Sequence, residues 1–157
     1  MEEKVLKIEP GTETIAPEAY AEEEWTELVF PPEVVRIGAA AFMNCAALWR
    51  VQLPKGLKEI GEGAFTGCIA LQEIVLPEGL ERIGEMAFFG SGLRQITIPE
   101  SVQSVGEMAF WDCGELRCAE VLGKSTRLEK NSFGSCPKLA EGYFAPGFPF
   151  DAQYSRR

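Results

Sequence analysis

The cysteines are the side chains most able to do chemistry, and four of the five recur at one position. Cys45, Cys68, Cys113 and Cys136 each stand three residues after a phenylalanine, whereas Cys118 stands apart. Thiolates act on metals, disulfides or substrates in company, beside a second thiol three residues on or an imidazole. Neither company exists here: Cys-x-x-Cys does not occur and the chain has no histidine. The missing histidine removes Ser-His-Asp and Cys-His nucleophile pairs, the commonest general base near neutral pH, and every zinc site built on imidazole. Side chains stacked in parallel point the same way rather than at each other, which disfavours disulfides between them. Buried free thiols are therefore expected at the repeated position. Cys118 alternates outward with Glu120 and is expected to be the more reactive thiol.

Three other patterns resemble chemistry without supplying it. Gly123-Lys124-Ser125-Thr126 matches the end of a phosphate-binding loop, but Cys118 stands where that loop needs its first glycine. Gly61-Glu62-Gly63 begins a dinucleotide-type pattern, and Thr66 occupies the place of its third glycine. Glu62, Glu85 and Glu107 occupy equivalent positions and would stack about 5 Å apart, a spacing that suits a retaining glycosidase pair. Such a pair needs a cleft and a desolvated acid, so these glutamates read as a solvated stripe. The chain is read as non-enzymatic, with no cofactor and no metal.

Composition points the same way. The 157 residues carry 24 acidic and 15 basic side chains, for a net charge of −9, and 46% are hydrophobic. That apolar content supports a packed core rather than a disordered acidic tail. Net acidity argues against nucleic acid, which requires basic phosphate contacts. No apolar run approaches the roughly 20 residues of a spanning helix, so no membrane insertion is expected. Met1-Glu2-Glu3-Lys4 lacks the basic start of a secretory signal. A native start at Met1 would imply the cytoplasm, and a signal trimmed from before it would imply export; the residues do not choose between them.

What must position these side chains is a repeat. Small-aromatic pairs recur at Ala19-Tyr20, Ala41-Phe42, Ala64-Phe65, Ala87-Phe88, Ala109-Phe110 and Ser132-Phe133, with 22 or 23 residues between aromatics. Five residues before each stands Ile15, Ile37, Ile60, Ile83, Val105 or Leu128, followed in four coils by Gly38, Gly61, Gly84 and Gly106. A period in this range means a solenoid. Leu28, Val51, Ile74, Ile96 and Ala119 each lie nine residues before the next aliphatic, so length variation is confined to the turn after the aromatic. That turn is one residue shorter where Glu23 and Ser91 replace cysteine, so the thiol reads as a filler of the longer turn.

Each coil is expected to hold two short strands and a compact turn. In Leu71–Pro77, Ile74 and Leu76 face one way and Glu73 and Val75 the other, the alternation of a half-buried strand. Pro31, Pro54, Pro77 and Pro99 end such strands, because proline has no N–H for a ladder. Leu80–Ile83 supplies the second extended stretch, and the turn reads as helical or 3₁₀ at most.

The pattern Phe65-Thr66-Gly67-Cys68-x-x-Leu71-x-x-Ile74-x-Leu76-Pro77-x-Gly79-Leu80-x-x-Ile83-Gly84-x-x-Ala87-Phe88 closely resembles the BspA-type leucine-rich repeat. The resemblance covers roughly residues 5–139. It implies a leucine-rich-repeat solenoid of the α/β horseshoe class, β-dominated, with six right-handed coils of parallel strands. It also implies a bacterial or protist surface or secreted protein that binds other proteins, with adhesion among the possibilities and no catalytic residues.

Two surfaces could receive a partner. The strand side presents Glu27/Val29, Arg50/Gln52, Glu73/Val75, Gln95/Thr97 and Cys118/Glu120, with Trp49 as its nearby aromatic. On the turn side, Met43, Phe89 and Trp111 follow the core aromatics, and Met86 and Met108 precede the alanines. A helical turn would set Met86 beside Phe89 and Met108 beside Trp111, forming an apolar patch for a protein partner or a second copy. Self-association through this patch or the tail is the alternative to a protein-interaction module.

The ends differ from the middle. One domain is expected over 1–157: an acidic capping coil at 1–30, regular repeats at 31–139, and an aromatic cap or tail at 140–157. The first 30 residues hold nine glutamates and two lysines, a balance of −7 against −2 for the rest. The acidity thus reads as a device that blunts an open solenoid end. Tyr143, Phe144, Phe148, Phe150 and Tyr154 lie among Pro146 and Pro149, which forbid a regular helix, so this segment reads as a lid on the last coil or a docking segment.

Overall fold

Main-chain hydrogen bonds tie successive coils together along two sides of the molecule. The computed structural model describes residues 2–139 and a short strand at 143–144. The strands are β1 (Val5–Lys7), β2 (Thr14–Ile15), β3 (Glu27–Val29), β4 (Arg36–Ile37), β5 (Arg50–Gln52), β6 (Glu59–Ile60), β7 (Arg82–Ile83), β8 (Gln95–Ile98), β9 (Ser104–Val105), β10 (Cys118–Val121), β11 (Arg127–Leu128) and β12 (Tyr143–Phe144). All pairings are parallel. The described residues contain no helix, so the α/β label of the horseshoe class does not apply to them.

One side is a continuous sheet in the order β2-β4-β6-β7-β9-β11. Its register is that of the repeat: Ile15, Ile37, Ile60, Ile83, Val105 and Leu128 sit opposite one another in sequence. Their side chains point inward and are buried. Equivalent residues recur because each coil must offer an apolar side chain at the same height of the stack.

Glycine after the ladder aliphatic has a steric cause. A Cβ on Gly38 would lie 2.4 Å from the Ile15 carbonyl oxygen, and one on Gly61 would lie 2.7 Å from that of Ile37. At these coils the absence of a side chain admits so close an approach, although Glu129 at the same place in the last coil also donates to Val105 C=O at 2.9 Å.

The core between the two sides is a set of columns. Tyr20, Phe42, Phe65, Phe88, Phe110 and Phe133 stack with ring centroids 5.6, 5.5, 5.4, 5.2 and 5.0 Å apart in succession. Such pairs each contribute about 0.5–1.5 kcal/mol beyond the area they bury. Phe42 through Phe133 are buried, whereas Tyr20, at the start of the column, is partly exposed. A phenol there carries a polar tip at the solenoid end.

The turns are not helical. In each coil two residues four apart have positive φ, as at Ala40 and Asn44, Gly63 and Gly67, Met86 and Gly90, and Met108 and Asp112. A left-handed residue breaks a helix, so the turn becomes linked tight turns closed by bonds such as Phe89 N–H to Met86 C=O, 3.1 Å. The aromatic of each coil donates its N–H to the next coil: Phe42 to Ala64, 2.9 Å, and Phe65 to Ala87, 2.7 Å.

The opposite side departs from expectation at one coil. It forms two sheets, β1-β3-β5 and β8-β10-β12, and Leu71–Pro77 between them joins no ladder. The alternation read from the sequence holds: Ile74 and Leu76 are buried, and Glu73 and Val75 are exposed. The strand itself is absent. Trp49 donates to Thr26 C=O at 3.0 Å, Arg94 to Gln72 at 3.0 Å and Arg117 to Arg94 at 2.9 Å, yet no equivalent bond runs from Gln72 to Trp49. Inward packing orients side chains without requiring neighbours at the ~4.8 Å that backbone bonding needs. Here the first condition is met and the second is not.

The proline-rich tail at 140–157 lies outside the described residues except for β12, which pairs through Cys118↔Tyr143 and Ala119↔Phe144.

Candidate interaction surface

The break in the strand side exposes what a closed sheet would cover. Val51 and Ile74, at equivalent places on its two sides, are both 8% exposed, whereas the equivalent Leu28, Ile96 and Ala119 are 0%, 2% and 0% exposed. A groove of about 760 Å³ lies over this place, walled by Trp49, Arg50 and Val51 on one side and by Gln72, Glu73, Ile74 and Val75 on the other. Ala46, Ala47 and Ala70 keep its end open. A second groove of about 320 Å³ flanks the same segment on its far side, between Glu73–Leu76 and Gln95–Thr97.

Large apolar side chains crowd this region. Trp49 is 51% exposed, Ile69 65% and Val75 84%. At the place of Val75, neighbouring coils carry Gln52 and Thr97, so the repeat does not ask for an apolar residue there. Charges surround the groove unevenly. Arg50 pairs with Glu27 at 3.8 Å, whereas Glu73 carries no ion pair among the described residues.

The acidic coil adjoins it. A groove of about 540 Å³ is lined by Glu2, Lys4, Glu22, Glu23, Glu24, Thr26 and Asn44, and it shares Ala46 and Ala47 with the larger one. Lys4 Nζ donates to Glu24 Oε2 at 2.9 Å. That bond raises the lysine and lowers the glutamate in pKa. Glu22 and Glu23 are exposed and carry no ion pair among the described residues.

The turn-side patch takes another form. Met43, Met86, Phe89, Met108 and Trp111 are all half-buried. The pairs Met86/Phe89 and Met108/Trp111 keep their spacing, but they flank left-handed turns rather than a helical one. These side chains lean on the following coil. A Cβ built on Gly134 would fall 2.1 Å from the Trp111 ring, and one on Gly63 would fall 3.2 Å from the Met43 methyl. Part of the patch is therefore spent on packing.

The repeated cysteines are free, buried thiols, and they do more than fill space. Each donates to the carbonyl of the aromatic one coil earlier: Cys45 to Tyr20 and Cys68 to Phe42 at 3.2 Å, Cys113 to Phe88 at 3.2 Å, Cys136 to Phe110 at 3.0 Å. Burial pushes the Cys68 thiol well above its ordinary value. Such thiols are poor nucleophiles. Cys118 is half-exposed; partial burial and Glu120 raise its pKa, so accessibility rather than thiolate character sets it apart.

The remaining decoys resolve simply. Thr126 of the Gly-Lys-Ser-Thr turn donates its hydroxyl to Val102 C=O at 2.8 Å, and the tetrapeptide connects β10 to β11. Glu62, Glu85 and Glu107 are exposed. No group of three or more acidic or cysteine side chains is placed to hold a metal among the described residues.

Repeated two-strand coils, a phenylalanine column and leucines beneath each turn define a leucine-rich-repeat solenoid. The BspA-type leucine-rich repeat region matches residues 13–140 with six copies, and the chain belongs to that family. A leucine-rich repeat protein from Bacteroides ovatus is similar in structure, with TM-score 0.78 and 34% identity over 87% of this chain and 38% of that one. A leucine-rich cell surface protein from Faecalibacterium prausnitzii gives 0.73 and 37%, over 78% of this chain and 33% of its own. The T. pallidum leucine-rich repeat protein gives 0.77 and 27%, over 87% and 78%. The chain thus spans well under half the length of the first two. No curated protein matches it in sequence.

Sequence reasoning reached Trp49 but not the broken ladder beside it. The available signal was Val75, an outward valine, together with the run of alanines at Ala46, Ala47 and Ala70.

Proposed function

We propose that the chain is a non-enzymatic protein-interaction module, with the acidic coil at 1–30, regular repeats at 31–139 and the tail at 140–157 acting as one unit. The observation that carries this reading is the exposure of Trp49 and Val75 on opposite walls of one groove. Interfaces are anchored by aromatic side chains seated at such places, and repeat solenoids leave recognition to their surface residues. A role at the cell surface draws support from the Faecalibacterium protein, which is described as a cell surface protein. Baits of wild type, Trp49→Ser/Val75→Ser and Phe89→Ser/Trp111→Ser test the reading. Partner loss with the first variant supports the groove, and loss in neither variant overturns both surfaces.

Self-association is the second reading. Met86, Phe89, Met108 and Trp111 remain half-exposed on adjacent coils, and that observation favours it. Light scattering decides: a dimer that disappears in Phe89→Ser/Trp111→Ser supports the turn side, and a monomer at all concentrations overturns it.

A further inference from the structure

The two grooves meet at Ala46 and Ala47, one lined by Glu22–Glu24 and the other by Glu73 and Val75, and are taken together as one channel. Three features of this channel bear on its occupant. Its cations are already engaged, Lys4 by Glu24 and Arg50 by Glu27, while Glu22, Glu23 and Glu73 carry no ion pair among the described residues. Its exposed aromatic, Trp49, lines the same groove as Glu73, where an indole face attracts a cation as well as an apolar side chain. Its far wall, Glu73–Val75, belongs to a segment with extended alternation but no ladder partner, so its main-chain groups are available to another extended chain.

We propose that this channel binds an extended, basic segment of a polypeptide. Lysine or arginine side chains of the segment meet Glu22, Glu23 and Glu73. An apolar side chain lies between Trp49 and Val75, and the segment's main chain bonds to Glu73–Val75. This assignment rests on the protein-interaction reading and names the chemistry of the partner. It also changes the meaning of the N-terminal acidity, which serves recognition as well as blunting the solenoid end.

The test uses the full chain and two fluorescently labelled peptides, one alternating lysine and valine and the other alternating glutamate and valine. Anisotropy is expected to show binding of the basic peptide, weakened by salt as exposed charge pairs are. Trp49→Ala is expected to lower affinity by about tenfold. Glu22→Gln/Glu23→Gln/Glu73→Gln is expected to lower it by a similar factor. Glu85→Gln/Glu107→Gln, which removes charge from exposed glutamates elsewhere, is expected to leave it unchanged. All these positions are exposed, and circular dichroism verifies that each variant folds. N-methylation of alternate peptide amides is expected to abolish binding by blocking main-chain pairing. Equal loss in the Glu85/Glu107 variant, or no binding of the basic peptide, overturns the proposal. Binding of the acidic peptide in a Trp49-dependent manner overturns the basic partner while leaving the interaction surface standing. Loss of natural partners with Trp49→Ser/Val75→Ser but no binding of either peptide separates the two claims in the same way.

Discussion

The two sides of the solenoid are built from the same repeat and end in different states. On one side six two-residue strands pair without interruption from β2 to β11. On the other, strands of three or four residues, with the two-residue β12, pair in two groups and leave Leu71–Pro77 outside any ladder between them. The shorter strands make the more continuous sheet, so strand length is not what keeps the coils in register. The difference lies next to the strands. The continuous side runs directly into Gly38, Gly61, Gly84 and Gly106, where missing side chains let backbones close to contact, and then into the phenylalanine column. On the interrupted side the close approach at coil three, Gly92 against the Ile69 carbonyl, lies in the turn before the strand rather than directly beside it, and the apolar contacts of Ile74 and Leu76 leave the strand spacing free.

If that contrast is right, damage to the clamped side should be severe. Phe65→Ala removes a fully buried ring stacked on both faces and is expected to cost about 3–5 kcal/mol in chemical denaturation, enough to threaten folding. Gly61→Ala places a Cβ within 2.7–2.9 Å of the Ile37 and Gly38 backbone and Ala39 nitrogen. Backbone must shift to admit it, and a loss of about 1–3 kcal/mol is expected from the same measurement. An unchanged midpoint for Gly61→Ala would mean that close approach does not hold the coils.

The thiol column sharpens the comparison at smaller scale. Cys68→Ala removes one of two donors to the buried Phe42 carbonyl, the Cys45 N–H at 3.3 Å remaining, and should cost about 0.5–1.5 kcal/mol. Cys68→Ser keeps a donor and should cost less. Equal losses would return the thiol to the role of filler. The smallest effect is expected on the surface of the continuous sheet, where Arg36 Nε pairs with Glu59 Oε2 at 3.1 Å, both side chains solvated. Arg36→Ala should change stability by no more than about 1 kcal/mol, less at high salt.

Most of the stack was legible in the sequence because it is written in repeated side chains. The isoleucine ladder, the phenylalanine column, the shortened turns at Glu23 and Ser91 and the strand ends at proline follow from spacing alone. The turn conformation was not legible. Ala40, Met86 and Met108 occupy left-handed positions that their residue types do not announce, although Gly63 at the same place in its coil does. The broken ladder was also hidden, since Ile74 and Leu76 carry the same alternation as the paired Ile96 and Ile98. Periodicity reports which way a side chain faces, not whether the backbones behind it approach closely enough to bond. For the candidate site, Trp49 was visible as an aromatic near the strand face. That its groove adjoins one lined by Glu22–Glu24 was not, because those glutamates belong to a turn one coil earlier.

Amide hydrogen exchange, resolved by residue, tests the central claim that the two sides differ in backbone closure. The amides of Ile60 and Ile83, bonded within the continuous sheet, are expected to exchange only with global unfolding. Those of Glu73, Ile74, Val75 and Leu76 are expected to exchange orders of magnitude faster under the same conditions. Equal protection across both sides would show a closed ladder at coil three and contradict the account.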